Sequence, residues 1–257
     1  MGYALITGAS EGIGKELAKC AAKDGYDLIL AARSKDKLDA VGAALSEEFG
    51  VKSVSIVSDL SKPDAAAKLW DAATAAGDID VLVNNAGLGS NGMFAENDWQ
   101  RELDAINVNM VALTDLMKRA VQYMSAQGHG KIMNVASTAG FLPGPKMAVY
   151  HASKAYVLHL SEAVAEELSG TRILISALCP GATKTEFFEG ADMKNVRLTN
   201  MGMMASAEDV AIAGWRALKA GQHIKVPGII NKIFAFLPRL LPRRVIAWTT
   251  KQFYARK

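Results

Sequence analysis

Tyr150 and Lys154 stand four residues apart at the end of a stretch that begins at Ser137 and reads Ser-Thr-Ala-Gly-Phe-Leu-Pro-Gly-Pro-Lys-Met-Ala-Val-Tyr-His-Ala-Ser-Lys. Residues at that spacing lie on one helical face, one turn from each other. A phenol beside a fixed ammonium makes a proton donor and acceptor. Free Tyr titrates near about 10, and a neighbouring cation favours the phenolate and lowers that value. Ser137 falls where a strand ends and could aim its hydroxyl at the same point. No metal-ligand spacing accompanies these three groups. Tyr-x-x-x-Lys alone is common on helices, where Tyr packs and Lys is solvated, so the surrounding elements decide its meaning.

Those elements alternate. Tyr3–Thr7 is an apolar run long enough for a buried strand. Gly8, Gly12 and Gly14 follow it, and helical spacing then runs through Leu17, Ala18, Ala21 and Ala22. A strand, glycine turn and helix present the free N–H groups of a helix N-terminus to a pyrophosphate. The spacing is G-x-x-x-G-x-G rather than G-x-G-x-x-G. Further strands are expected at 26–32, 51–57, 79–83, 131–135 and Ile173–Leu178. Helices are expected to open near Pro63, to cover roughly 97–127, and, in the one holding Tyr150 and Lys154, to run to about Ser169. Alternating strands and helices with continuous apolar strands predict an α/β fold, a single-domain Rossmann-type doubly wound parallel β-sheet with helices on both faces. It spans residues 1–257 without an internal boundary or repeat.

Polar residues gather at the strand ends, where ligands bind in such sheets. The second strand ends in Arg33-Ser34, with Lys37 close behind and no acidic residue at the ribose position. An Arg there favours the 2′-phosphate of NADP(H), with NAD(H) still compatible; the alternative is an exposed helix-start residue. Asp59 could bond an adenine amino group or serve only as a turn residue. Asn84-Asn85-Ala86-Gly87 ends the fourth strand, where small residues let a ribose or flat ring approach the backbone.

The hydrophobic half of the composition allows a substantial core. Cys20 and Cys179 lack motif spacing, which predicts a reducing compartment and no disulfide. No apolar run approaches the ~18 residues of a membrane span, and the N-terminus enters a strand without a secretion signal. A cytoplasmic protein, with contact at the membrane periphery as an option, is the expectation. The net charge of +3 hides an asymmetry: no acidic residue follows Asp209, whereas ten cations do, leaving −7 on the first 209 residues. A basic tail suits an anionic surface or partner, or is simply a solvated face.

With Thr7-Gly8-x-x-x-Gly12-x-Gly14, Asn84-Asn85-Ala86-Gly87, Asn109, Ser137, Tyr150-x-x-x-Lys154 and Pro180-Gly181 in order, the chain resembles the short-chain dehydrogenase/reductase family from residue 3 to about 215. The resemblance implies that Tyr150 is the general acid/base for hydride transfer between nicotinamide and a carbonyl or alcohol. It implies that Ser137 holds the substrate oxygen, and that Lys154 bonds the nicotinamide ribose and lowers the Tyr150 pKa. Asn109 would hold a water linking Lys154 to solvent. Thr7, Gly8, Ser10, Gly12, Ile13, Gly14, Arg33, Asp59, Leu60, Asn85, Ala86 and Gly87 would contact the cofactor. So would Tyr150, Lys154, Pro180, Gly181, Thr183 and Thr185. The family commonly forms dimers or tetramers, so a homo-oligomer is implied.

Specificity is expected at about 186–205, the family's lid, where Phe187, Phe188, Met193, Met201, Met203 and Met204 are either adaptable lid residues or ordinary core. Ser206 then caps a helix with acids in its first turn. Basic and apolar residues alternate at about 229–257. That extension could lie in a membrane interface, cap the substrate cleft, or join a subunit interface. The function expected is NADP(H)-dependent reduction or oxidation of a hydrophobic ketone, aldehyde or secondary alcohol. The alternatives are a 3-oxoacyl thioester reductase and a non-catalytic NADP(H)-binding regulator. Nucleic-acid binding has no supporting pattern.

Overall fold

The computed structural model describes residues 1–191, 193, 196–197 and 204–254. Seven parallel strands form one sheet in the order β3-β2-β1-β4-β5-β6-β7. They are β1 (Tyr3–Thr7), β2 (Asp27–Ala32), β3 (Ser53–Val57), β4 (Ile79–Asn84), β5 (Gly130–Val135), β6 (Ile173–Leu178) and β7 (Ile224–Lys225). Successive side chains of a strand point to opposite faces. Ala4 and Ile6 of β1, with Leu28 and Leu30 of β2, therefore enter one core. Leu5 and Ile29, between them, enter the other. Continuous apolar strands make both faces dry, and helices cover each of them.

One face is covered by α1 (Gly12–Lys23), α2 (Lys35–Phe49) and α8 (Ala207–Lys219). Helix α1 turns Leu17, Ala18, Ala21 and Ala22 inward. Ser206 caps α8 by accepting from the Asp209 N–H at 3.0 Å, as expected. The other face carries α3 (Ala65–Ala76), α5 (Leu113–Gln127) and α6 (Ala148–Glu167), and α4 (Trp99–Ile106) packs against α6.

Two features depart from expectation. The helix predicted over roughly 97–127 is broken into α4 and α5 by a π-helical segment, Asn107–Ala112. Such a bulge leaves no trace in 3.6-residue periodicity, and it turns Asn109 fully inward. Strand β7 was not expected, because two residues carry no periodicity; it extends the edge at β6 through Ala177 and Leu178. The remaining helices are α7 (Phe187–Gly190), α9 (Ile229–Phe236) and α10 (Arg243–Phe253). Phe234 and Phe253 meet edge to face at 5.9 Å and join α9 to α10. Met201 and Met203 of the expected lid lie outside the described residues. Among the described residues, no helix is long and apolar enough to cross a membrane, and both cysteines are free.

Candidate active site

The chain goes outward from β1 through β2 to β3, then crosses back to place β4 on the other side of β1. Strand order therefore reverses beside β1, and a crevice opens at the carboxyl ends there. It is a cleft of about 1230 Å³. Ligand pockets typically fall within about 300–1,000 Å³, so this one has room for a large ligand and a second, smaller one.

At one end a backbone cradle is built by hydrogen bonds between β1 and β4. The Thr7 hydroxyl accepts from the N–H groups of Asn85 and Ala86, both at 3.0 Å. Asn85 Nδ2 donates to the carbonyls of Thr7 at 2.9 Å and Gly8 at 3.1 Å. This clamp leaves no space for side chains. A Cβ on Gly14 would stand 2.2 Å from the Gly8 carbonyl oxygen, and Gly8 has φ +64°. Among the described residues the N–H groups of Gly12, Ile13 and Gly14 find no backbone acceptor, and α1 has no side-chain cap. Orphan donors at a helix start flanked by glycines could hold a diphosphate.

Ser10, Gly12, Ile13, Leu60, Ala86 and Gly87 all border the cleft, as do Gly8 and Asn85. Thr7, Gly14 and Asn109 do not; they stand behind its wall and shape it. Arg33 is exposed at the cleft edge and makes no hydrogen bond or ion pair with a described residue. Lys37 is committed elsewhere, pairing with Glu11 at 2.8 Å and Glu186 at 3.1 Å. Asp59 also borders the cleft. Burial opposes its ionisation, but the Ser61 hydrogen bonds and the Lys62 and Arg33 charges outweigh this and hold its carboxyl below the usual range. One carboxylate oxygen already accepts from Ser61 N–H and hydroxyl, the arrangement of a turn residue. The donor set and the glycine-lined cradle fit a dinucleotide.

At the other end, Ser137, Tyr150 and Lys154 border the same cleft. Ser137 caps a short 3₁₀ turn, Thr138–Phe141, by accepting from the Ala139 N–H at 3.1 Å. Its hydroxyl lies close enough to Tyr150 to favour the phenolate. Lys154 Nζ donates to the Val135 carbonyl at 2.8 Å and sits 5.8 Å from the Tyr150 ring centre. The expected lowering of the Tyr150 pKa is not found. Burial dominates and pushes the phenol up to about 12, with the Ser137 hydrogen bond opposing it. Burial also pulls the Lys154 ammonium down to about 8. In the protein alone, Tyr150 is thus a firmly protonated acid.

Asn109 has its side chain committed. Its Oδ1 accepts from the Leu88 N–H, and its Nδ2 donates to Leu88 O and Ser153 Oγ, all at 2.9 Å. Ser153 in turn donates to the Tyr150 carbonyl at 2.8 Å. The π-helical segment therefore pins the first turn of α6. A Cβ on Gly87 would stand 3.4 Å from Asn109 Oδ1 and 3.5 Å from Lys154 Nζ, so the glycine leaves a gap between them. Asn107, on the same π-helical segment, instead donates from Nδ2 to the Ser61 carbonyl at 3.2 Å.

Pro180, Gly181, Thr183 and Thr185 follow β6 and border the cleft. Thr183 bonds Gly181 O at 3.0 Å, and a Cβ on Gly12 would touch Thr185 Cγ2 at 3.0 Å. The apolar wall near Tyr150 is a cluster of Met147, Ala191, Met193, Val196 and Tyr254, with Phe187 and Phe188 against it. Phe187 lies 5.2 Å from the Tyr150 ring.

Three contributors in this wall were not foreseen: His151, Asn231 and Tyr254. Asn231 packs so tightly on Gly181 that a Cβ there would meet its Oδ1 at 2.2 Å. His151 Nδ1 lies 2.8 Å from the Leu142 carbonyl, which can only accept, so Nδ1 carries the proton. Nε2 of the neutral ring then accepts from the Tyr254 hydroxyl at 2.7 Å. Burial keeps His151 neutral by lowering its pKa. The C-terminal extension thus caps the cleft, one of the three roles left open by its pattern. Tyr254→Phe leaves a buried nitrogen unpaired, which costs about 1–3 kcal/mol. Urea unfolding should register that loss as a lower midpoint with an unchanged slope.

The family model for short chain dehydrogenase matches residues 2–195. A 3-oxoacyl-(acyl-carrier-protein) reductase FabG from Staphylococcus epidermidis is 31% identical over 226 residues, covering 86% of this chain and 92% of that protein. A solved 7beta-hydroxysteroid dehydrogenase superposes with a TM-score of 0.87 at 26% identity, covering 96% of each chain. A short-chain dehydrogenase from Sphingobium yanoikuyae in complex with NADPH superposes with a TM-score of 0.83 at 30% identity, covering 95% of this chain and 97% of that one. Sheet, glycine cradle and polar strand ends define a nucleotide-binding α/β oxidoreductase. The chain belongs to the short-chain dehydrogenase family and is an NAD(P)-dependent oxidoreductase of that family.

Proposed function

We propose that the protein is an NADP(H)-dependent carbonyl reductase, or the matching alcohol dehydrogenase, acting on hydrophobic ketones, aldehydes or secondary alcohols. The observation carrying this reading is the meeting of Ser137, Tyr150 and Lys154 in a cleft whose remaining wall is Met, Phe and Tyr. NADP(H) supplies the hydride. Ser137 holds the substrate oxygen, and Tyr150 gives that oxygen its proton in reduction and takes it back in oxidation. Lys154 bonds the nicotinamide ribose. Asn109 holds α6 in place, and a water in the gap left by Gly87 links Lys154 to solvent. Thr7, Gly8, Ser10, Gly12, Ile13, Gly14, Asp59, Leu60, Asn85, Ala86 and Gly87 form or back the nucleotide seat. Pro180, Gly181, Thr183 and Thr185 close over the carboxamide and phosphate end.

Arg33 takes the 2′-phosphate, which its exposed and uncommitted guanidinium supports. Losing a charge-assisted bond of about 1.5–3 kcal/mol lowers kcat/KM roughly 10- to 100-fold. Arg33→Ala should show that loss with NADPH and none with NADH. Equal losses with both cofactors would remove Arg33 from the phosphate site.

A second reading, reduction of 3-oxoacyl thioesters, is favoured by the FabG relative. Higher kcat/KM on acyl thioesters than on free ketones of equal chain length would select it. The domain is residues 1–257, with the lid at about 186–205 and the basic extension at about 229–257. The protein works as a homo-oligomer in the cytoplasm, and its C-terminal segment makes peripheral contact with membranes.

A further inference from the structure

The C-terminal helices present two surfaces. Inward, Thr250, Phe253 and Tyr254 border the cleft. Outward, Ile233, Phe236, Leu240 and Trp248 are each more than half exposed, Trp248 at 64%. Exposed apolar side chains are normal when scattered; here they crowd into one short segment. Its cations Lys232, Arg239, Arg243, Arg244 and Lys251 are exposed as well, and no carboxylate follows Asp209 to neutralise them. Apolar residues flanked by unopposed cations match a lipid surface bearing negative headgroups.

The two surfaces meet at the start of α9. Ile229 and Ile230 border the cleft while remaining 77% and 51% exposed. They form a rim between cleft and surface. Resting on the proposed hydrophobic carbonyl substrate and membrane contact, we infer that α9 and α10 seat the cleft mouth on an anionic bilayer, so that substrate enters from the lipid. The substrate class is then a ketone or alcohol that partitions into membranes. An apolar rim lets it pass without crossing water, and the Arg239 guanidinium, 6.0 Å from the Phe236 ring, stays within reach of headgroups.

The test uses the full chain, with vesicles of pure phosphatidylcholine and of phosphatidylcholine with one-quarter phosphatidylglycerol. Ile233, Trp248, Arg243 and Arg244 do not border the cleft, so Ile233→Ser/Trp248→Ser and Arg243→Glu/Arg244→Glu leave it intact. Wild type should co-sediment with the anionic vesicles and be released by high salt. At about 1 kcal/mol per surface cation, removing two charges weakens binding roughly 30-fold or more. A long-chain ketone supplied in anionic vesicles should be reduced faster by wild type than by either variant, while all three turn over a short water-soluble ketone equally. Failure to bind vesicles, or self-association through this face instead, overturns the docking. Binding with no advantage on vesicle-borne ketone overturns lipid-side entry and leaves the membrane contact standing. Absence of turnover on every ketone by wild type, with vesicle binding intact, would overturn the reductase assignment and with it lipid-side entry of a ketone, and leave the membrane contact standing.

Discussion

Tyr150→Phe removes one oxygen and should lower kcat by about 10²–10⁴-fold, the usual worth of a positioned acid. Nothing else in the wall has reason to move. The phenyl ring keeps its packing against Phe187, and Ser153 still bonds the backbone carbonyl of residue 150. NADPH affinity, followed by fluorescence titration, should stay within a factor of two or so of wild type. With Ser137 left to hold the substrate oxygen, KM should change far less than kcat. That pattern marks an interaction made only in the transition state. An equal rise in KM with kcat unchanged would mean that the phenol only binds substrate.

Lys154→Met should have the second largest effect. It removes a fully buried cation that donates to the Val135 carbonyl and faces the nucleotide cleft. Loss of a charge-assisted bond together with orientation should lower kcat/KM for NADPH by about 10²–10³-fold. Stability should hold or rise, since an ammonium kept from water by burial is costly to the fold. The pH profile tests the same point. With its pKa pulled down to about 8, Lys154 is charged below that pH and neutral above it. Wild-type kcat/KM for NADPH should therefore be flat below about pH 8 and fall above it. Unfolding is not the cause: between about 8 and the ordinary lysine value the unfolded chain binds more protons than the native one. The Lys154 contribution to stability thus rises with pH in that window. A flat profile through pH 9 would contradict the role given to this ammonium.

Much of this arrangement was legible in the residues because backbone geometry demands particular types there. Gly8 and Gly14 are required by a close approach and, at Gly8, a positive φ. The apolar strands could be read because a sheet covered on both faces leaves no polar alternation. What could not be read depends on contacts between distant segments. The π-helical segment at Asn107–Ala112 has no compositional signature, so the clamp from Asn109 through Ser153 to Tyr150 was hidden. Tyr254 is 103 residues from His151, and one aromatic in a basic tail gives no pattern that points to its partner. The balance at Tyr150 was misjudged for a related reason. Spacing reveals a nearby cation but not the depth of burial, and burial is the largest influence on the phenol here.

The most direct test of the reductase assignment is NADPH oxidation by the full chain against ketones running from short and water-soluble to long and apolar, with NADH in parallel. The account predicts turnover with NADPH that rises with apolar size and falls sharply with NADH. Binding of NADPH without turnover of any carbonyl or acyl thioester would contradict it and point to a regulatory nucleotide-binding protein.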